Sequence, residues 1–209
     1  MNMKGSILII MVLAFAGLVA VSCGKKPKDT EMTVSEALAK RQSVRSFSAE
    51  TIPEETLLKI LWAANGTSRG DRRTAPSAVN AQDIELYVCK ADGTYRYSAK
   101  DGGLVKVTDK DIRPSLQAQN KFIMTAPLTI LLVSDQSRFG RMREGSRNRD
   151  FGLIDAGIVS ENISLYCTAN GLGTVCCSPR MDLDAIREAL RLGDDHIPVL
   201  YHPIGYPAE

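Results

Sequence analysis

The hydrophobic pattern predicts a helix over residues 51–65. Leu57, Leu61 and Ala64 recur three or four positions apart, with another leucine beside them, so they form one buried face of a helix. Thr51, followed by a proline and a glutamate, is typical of a helix start, and an Asn-Gly pair is typical of its end. We expect this helix to pack on the core along that face.

The longest helix is predicted over residues 150–170. Ile154, Ile158, Leu165 and Ala169 are spaced for one face, and other sides of the segment are apolar as well. We therefore expect this helix to be deeply buried. Shorter helices are predicted over residues 33–41, where Thr33-Val34-Ser35-Glu36 has the form of a capping box, and over residues 109–119 and 183–192.

Two segments have the pattern of strands near the middle of a sheet. Ile84 to Lys90 alternates apolar and polar residues, which is typical of a half-buried strand, and Pro127 to Val133 is almost continuously apolar. Further strands are predicted at residues 95–97, 104–107, 175–177 and 198–204. Helices and strands do not alternate strictly, so the predicted class is α+β, with a central mixed or antiparallel sheet flanked by helices.

The first residues have the form of an export signal. Lys4 precedes an apolar run from Ile7 to Val21 that is short for a membrane span and ends in small residues. We interpret residues 1–22 as a signal peptide, with a retained membrane anchor as the alternative. Cys23 resembles the lipidated cysteine of a bacterial lipoprotein, although an ordinary cleavage site also fits. Residues 23–32 then form a lipidated or flexible tether, and residues 33–209 form the folded domain.

Charge and motif content exclude several classes of function. A formal net charge of +2 argues against a nucleic-acid-binding protein. The cysteines match neither a Cys-x-x-Cys redox motif nor a zinc site, and the chain has two histidines, so no metal is expected. The sequence contains no G-x-S-x-G elbow, no G-x-G-x-x-G after a strand and no phosphate-binding P-loop. If the protein is an enzyme, a bound cofactor is expected to supply the chemistry.

Three motifs in order suggest which cofactor. Arg41-Gln42-Ser43-Val44-Arg45 combines two guanidinium forks with a hydroxyl, which suits a phosphate group. Ala75-Pro76-Ser77-Ala78-Val79-Asn80-Ala81-Gln82 follows about thirty residues later, and Gly171-Leu172-Gly173-Thr174-Val175 follows the longest helix. In this order and spacing the chain resembles the nitroreductase family of FMN-dependent oxidoreductases over most of residues 33–206.

The resemblance implies an FMN site at the seam of a homodimer. It gives the FMN phosphate and ribityl end to one subunit and a Pro-Ser-x-x-Asn element that contacts the flavin to its partner. It also places the backbone N–H of Ser178 against flavin N5. The residues it assigns to FMN are Arg41, Gln42, Ser43, Arg45, Pro76, Ser77, Asn80, Gln119, Cys177 and Ser178. The alternatives are an ordinary basic surface turn for the first group and simple turn chemistry for Ser77 and Asn80.

The chain departs from the family pattern at three places. Gln82-Asp83-Ile84 stands where the family has Gln-Pro-Trp, which changes the wall of the pocket. Pro179 falls where many members have glycine, which removes a backbone donor. The family commonly continues to basic residues after the last strand, whereas this sequence ends at Glu209. Arg41 and Arg45 are therefore expected to carry most of the phosphate neutralisation.

The expected function is that of an exported oxidoreductase in the cell envelope of a bacterium. The resemblance implies hydride transfer through flavin N5 between a reduced donor and a nitro, quinone or related acceptor. The alternative is an exported flavin- or ligand-binding module of the same fold without turnover. Some relatives oxidise heterocycles in peptides, which is a further alternative among enzymes.

Overall fold

The protein is described by a computed structural model that covers residues 32–117, 121–143, 147–178 and 181–208. The predicted signal peptide, most of the tether with Cys23, the site candidate Gln119 and the departing residue Pro179 lie outside the described residues. Within the part that is described, no helix is both long enough and apolar enough to cross a membrane.

A six-stranded sheet forms the centre of the domain. Its spatial order is β5-β4-β3-β6-β8-β7, and every neighbouring pair is antiparallel. The strands are β3 Ile84–Lys90, β4 Gly93–Ser98, β5 Gly103–Thr108, β6 Leu128–Asp135, β7 Gly173–Thr174 and β8 His196–Gly205, and a separate small hairpin joins β1 Thr67–Arg69 to β2 Arg72–Arg73. The predicted α+β class is confirmed, and the sheet is antiparallel rather than mixed.

Both faces of the sheet are covered because its central strands are apolar on both sides. Leu86 and Ile130 point to a core shared with two helices, while Tyr87 and Leu131 point to a second core on the opposite face. The helices are α1 Val34–Lys40, α2 Glu54–Asn65, α3 Arg113–Gln117, α4 Arg147–Ala169 and α5 Leu183–Leu190. Helix α4 packs on α1 and α2 and on the first face, and α3 and α5 lie on the second.

Two helix ends agree with the sequence and one does not. Thr33 and Glu36 form the predicted capping box at the start of α1. Gly171, just after α4, has the predicted left-handed backbone, with φ +72°. The prediction that Thr51 caps α2 is wrong. Pro53 occupies the N-cap position and makes no side-chain cap hydrogen bond, since its ring offers no acceptor.

The buried face of α4 differs from the prediction. Ile154 is 58% exposed, whereas Asp155, Ser160 and Ser164 are buried. The segment is apolar on several sides, so hydrophobic spacing alone does not select the face that packs on the sheet. Small and polar residues occupy that face because they are paired by hydrogen bonds there.

Two other predicted elements are shorter than expected. The helix predicted over residues 109–119 is helical only over Arg113–Gln117 among the described residues, because Asp111 turns the chain and accepts a hydrogen bond from the Arg113 N–H. The strand predicted at residues 175–177 is replaced by β7, and Cys177 forms only an isolated bridge to Tyr201.

Candidate functional site

The Arg41–Arg45 segment lies against the last edge of the sheet. Ser43 forms a parallel bridge to Thr174, and the Val44 N–H donates to the Thr174 carbonyl at 3.0 Å. The side chains of Arg41, Ser43 and Arg45 are exposed and make no hydrogen bond or ion pair to described residues. Two unpaired guanidinium groups and a hydroxyl therefore project from a backbone that is fixed to β7.

Gly173 allows the Arg41–Arg45 segment to lie close to β7. A Cβ atom at Gly173 would lie 2.6 Å from one methyl carbon of Val44 and 2.7 Å from its Cβ. Side chains of other residues cannot fit into that space. The Gly-x-Gly motif and the Arg41–Arg45 motif, which are far apart in sequence, thus depend on each other for position.

Cys177 and Ser178 follow β7 and lie beside the same segment. The positive charge of Arg45 is close enough to Cys177 to act on its thiol, although burial dominates and raises the pKa of Cys177 to about 11. The Ser178 hydroxyl donates to the Val199 carbonyl at 3.2 Å, which ties this turn to β8. The candidates for the phosphate end and for the N5 contact are therefore on neighbouring segments of one chain.

A buried histidine supports β7 from behind. His202 on β8 is fully buried, and its ring lies 2.8 Å from the Ser160 hydroxyl and 3.0 Å from the Thr174 hydroxyl. The Thr174 hydroxyl donates its single proton to the Pro203 carbonyl at 2.8 Å, so it accepts from His202 Nδ1. Ser160 then donates to Nε2, and the ring is neutral. Burial lowers the pKa of His202 to about 3, which agrees with this assignment.

The Pro76–Asn80 segment is held by a carboxylate from α4. The Ala78 N–H donates to both oxygens of Asp155, at 3.1 and 2.9 Å. The Gln82 N–H donates to the Ser77 hydroxyl at 2.9 Å, which closes the loop on itself. Pro76 and Asn80 remain exposed, so the loop has a fixed backbone and outward-facing side chains.

This loop also contains unfavourable backbone conformations. Val79, Asn80 and Gln82 have φ angles of 48°, 56° and 53°. A positive φ is rare for residues other than glycine and is especially unfavourable for a β-branched residue such as Val79. Such strain persists only where surrounding contacts impose it, and it is common at ligand-binding segments.

Behind the loop, two carboxyl groups share a buried space. Asp83 and Asp155 are 0% and 2% exposed, and their carboxyl groups are close enough to interact electrostatically. Burial, together with the neighbouring Asp155, raises the pKa of Asp83 to about 7, against the hydrogen bond from Ser134. Oδ2 of Asp83 accepts from the Ser134 hydroxyl at 2.5 Å, whereas Oδ1 has no donor unless a proton lies between the two carboxyls.

The predicted site residues form two groups in one chain. Arg41 to Arg45 with Cys177 and Ser178 make the first group, and Pro76, Ser77 and Asn80 make the second. No hydrogen bond or ion pair between described residues joins the two groups. The second group lines a cavity of 510 Å³ together with Arg69, Arg72, Arg73, Thr74 and Ala75.

One cluster has the residue types of a metal site. Ligand atoms of Glu85, Asp135 and His196 lie within 4.8 Å of one another. The carboxylate oxygens are already engaged, because Glu85 accepts from Tyr87 and from two arginines, and Asp135 accepts from Ser137 and Arg138. We therefore assign no metal to this cluster.

Sequence reasoning missed three residues that position the site. Asp155, Ser160 and His202 are remote from the motifs that they support. For Asp155 and Ser160 the signal was the presence of polar residues in the largely apolar segment 150–170, and for His202 it was a polar residue inside the predicted strand 198–204. Such a pattern indicates buried hydrogen bonds, because unpaired polar groups are costly inside a protein.

The sequence is similar to that of known proteins, and the matches agree on one family. Residues 38–206 match the sequence profile of the nitroreductase family. A provisionally named nitroreductase of Methanocaldococcus jannaschii is 30% identical over 193 residues, which cover 88% of this chain and 96% of the relative.

Solved structures share the fold. A crystal structure from Ralstonia eutropha JMP134, provisionally described as a nitroreductase, has a TM-score of 0.79 at 31% identity. The similarity covers 87% of this chain and 86% of that chain. An FMN-dependent nitroreductase from Clostridium difficile R20291 has a TM-score of 0.57 at 23% identity, covering 83% of this chain and 87% of its own. At that identity the similarity is evidence for the fold alone.

Proposed function

Since the chain belongs to the nitroreductase family, and thus to a group of flavin-type oxidoreductases, we propose that it is an FMN-dependent oxidoreductase. When bound, FMN would supply hydride transfer at N5 between a reduced donor and a nitro, quinone or related acceptor. One observation carries the proposal. The backbone of the Arg41–Arg45 segment is bonded to β7, so the phosphate-binding motif and the turn at Cys177 and Ser178 lie side by side.

The donor set at the first group fits the phosphate end of FMN. Arg41 and Arg45 offer planar guanidinium forks, and Ser43 between them offers a hydroxyl. None of these side chains forms a hydrogen bond or ion pair with another described residue, so each can bind an anion. In this role they hold the cofactor and neutralise its charge, with Gln42 contributing its amide or backbone.

The turn after β7 fits the ring end. The Ser178 backbone N–H donates to no other described residue, so it is available to donate to the ring edge. A fixed donor at that position stabilises negative charge that develops on the reduced ring. The outward-facing Pro76 and Asn80 fit the opposite side of the ring, contributed by a second copy of the chain.

We propose a homodimer because one face of the described domain is unusually apolar. Val34 and Trp62 are 71% and 49% exposed, and they belong to α1 and α2, which both pack on α4. They line an apolar cavity of 400 Å³ together with Leu165 and Ala169 of α4. Exposed apolar patches of this kind mark protein interfaces. Substitution of Leu38, exposed on α1, by glutamate should give a monomer in light-scattering chromatography.

For location we propose export to the cell envelope, with an acylated Cys23 as anchor. This rests on the sequence of residues 1–23 alone. Mass spectrometry of the mature N-terminus distinguishes an acylated chain from one without a lipid, because an acylated chain begins at Cys23 with the mass of the lipid added. A donor other than a cytosolic nicotinamide nucleotide is then expected to reduce the protein.

FMN titration of the purified protein tests the proposal. We expect a yellow protein that dithionite bleaches, and an FMN affinity that falls about a hundredfold in R41Q/R45Q, since each charge-assisted phosphate contact contributes about tenfold. Lys40→Gln, a neighbouring exposed cation, serves as the control and should change affinity less than threefold. A protein that stays colourless after FMN soaking would rule the proposal out.

Turnover is tested separately from binding. The alternative of a flavin-binding module without turnover predicts yellow protein that no donor and acceptor pair can cycle. Stopped-flow reduction and reoxidation with a panel of donors and acceptors distinguishes the two functions. We expect reduction and reoxidation in separate half-reactions, as for an enzyme that releases its donor before it binds an acceptor.

A further inference from the structure

A second cavity, which shares Arg73 with the cavity beside the Pro76–Asn80 loop, is cationic. It has a volume of 190 Å³ and lies where β3 and β4 meet the β1–β2 hairpin. Its lining carries four cationic side chains and one carboxylate, which are Arg73, Arg96, Lys100, Arg138 and Glu85. Glu85 is shared by Arg96 and Arg138, at 3.3 Å each, and Arg138 is also paired with Asp135 at 3.0 Å. The four cationic side chains therefore exceed these two carboxylates by two charges.

Arg73 is the residue that points to a ligand. Its Nε donates to the Gln82 amide oxygen at 3.0 Å, but its Nη1 is buried and has no hydrogen-bond partner. Burial, followed by repulsion from Arg138, lowers the pKa of Arg73. A buried guanidinium nitrogen without an acceptor is unusual, because such groups are almost always paired in folded proteins. An anion in the cavity would supply that acceptor and separate the two like charges.

The size and lining of the cavity restrict what the anion is. A volume of 190 Å³ holds about six water molecules and is below the range of pockets that enclose a whole ligand. Paired guanidinium forks suit the oxygens of a phosphate group. We propose that the cavity between Arg73 and Arg138 binds a phosphate-type oxyanion, either inorganic phosphate or the phosphate of a monoester.

The bound anion would also affect the strained loop. Gln82 accepts from Arg73, and its amide nitrogen donates to the Asp71 carbonyl at 2.7 Å and lies 3.4 Å from the Asn80 side chain. Because Gln82 has a positive φ, its conformation depends on these contacts. Anion binding at Arg73 therefore fixes the residue that connects the cavity to Asn80.

Calorimetric titration of the full chain with sodium phosphate tests the site. The R41Q/R45Q variant is used as the background, because it weakens phosphate binding at the proposed flavin site and so separates the outcome from flavin binding. We expect saturable phosphate binding that sodium chloride at equal ionic strength does not reproduce. Arg73→Gln should weaken phosphate affinity at least tenfold, and Arg73→Lys, which keeps the charge but loses the fork, should weaken it less.

Two exposed lysines provide a matched comparison that does not depend on whether Arg73→Gln folds. Lys100→Gln, at the cavity, should weaken phosphate affinity about threefold, while Lys121→Gln, away from the cavity, should leave it within error. Equal losses in the two variants, or undiminished binding in Arg73→Gln, would overturn the proposal. Titration with glycerol phosphate identifies the source: comparable affinity indicates a monoester, and binding of inorganic phosphate alone indicates the free ion.

Discussion

Asp83 and Asp155 form a buried carboxyl pair that joins the sheet to the candidate flavin loop. Asp83 accepts from Ser134 on β6, and Asp155 accepts from Ala78 in the loop. Two ionised carboxylates at this position would repel each other without water to screen them, so the pair keeps a proton. Asp83 thus adds a titratable group directly behind the loop.

Asp83→Asn should change how stability depends on pH. The pKa of Asp83 is about 7 in the folded chain and near 3.8 when it is unfolded, so the folded chain holds an extra proton between about pH 4 and 7. That contribution to stability is complete below pH 4 and is lost as the pH rises through 7. The asparagine variant stays neutral and donates to Asp155. At pH 8 we expect it to be about 1–3 kcal/mol more stable than wild type in urea unfolding.

The comparison of Asp83→Asn with wild type at pH 4 serves as the control for the comparison at pH 8. Both proteins then carry a neutral group at position 83, so their free energies of unfolding should differ by less than at pH 8. An advantage of the asparagine variant that is equal at both pH values would contradict a shared proton.

His202 should make stability depend on pH in the opposite direction to Asp83. Its pKa is about 3 in the folded chain and near 6.5 in the unfolded chain, so the unfolded chain takes up a proton first as the pH falls. Stability from the neutral ring is complete above pH 6.5 and decreases toward pH 3. His202→Gln keeps a donor and an acceptor but does not titrate. The stability of this variant should therefore not include the decrease toward low pH that the histidine causes. Urea midpoints at several pH values between 4 and 7 measure the difference from wild type.

Asp155→Ala should loosen the loop more than it unfolds the protein. It removes the acceptor of the Ala78 N–H, which is a hydrogen bond to a charged or proton-sharing group. If the loop contacts the flavin, FMN affinity should fall about tenfold while the circular dichroism spectrum is unchanged. Asp150→Ala, exposed on the same helix, should have no such effect. Hydrogen exchange of the Ala78 amide should also become faster in Asp155→Ala alone.

Gly173→Ala should displace the Arg41–Arg45 segment. The added methyl group would overlap Val44, and overpacking of this kind costs about 1–3 kcal/mol. Val44→Ala in the same chain removes the two overlapping methyl carbons but keeps the Val44 Cβ atom, so the double variant should recover part of the lost stability and FMN affinity. A double-mutant cycle measures the coupling. Additive losses would mean that the two residues do not touch in solution.

The strands of the sheet could be predicted from the sequence better than the contacts of the candidate site. Strands such as Ile84–Lys90 were predictable because apolar residues alternate along them, although both faces of this strand are buried and a half-buried strand was expected. The face of α4 was not, since Ile154 and Asp155 are both compatible with a helix and only tertiary hydrogen bonds decide which is buried. The motifs around Arg41 and Gly173 could be found by resemblance, but their contact through Val44 requires the folded structure.

The bridge from Ser43 to Thr174 has a further consequence for solubility. β7 is the outermost strand on its side of the sheet, and an uncovered edge strand offers unpaired amides and carbonyls to another chain. The segment that carries Arg41 and Arg45 covers part of that edge. A change that detaches it would leave a template for intermolecular β-pairing, so its first visible effect in a cell would be aggregation rather than loss of activity.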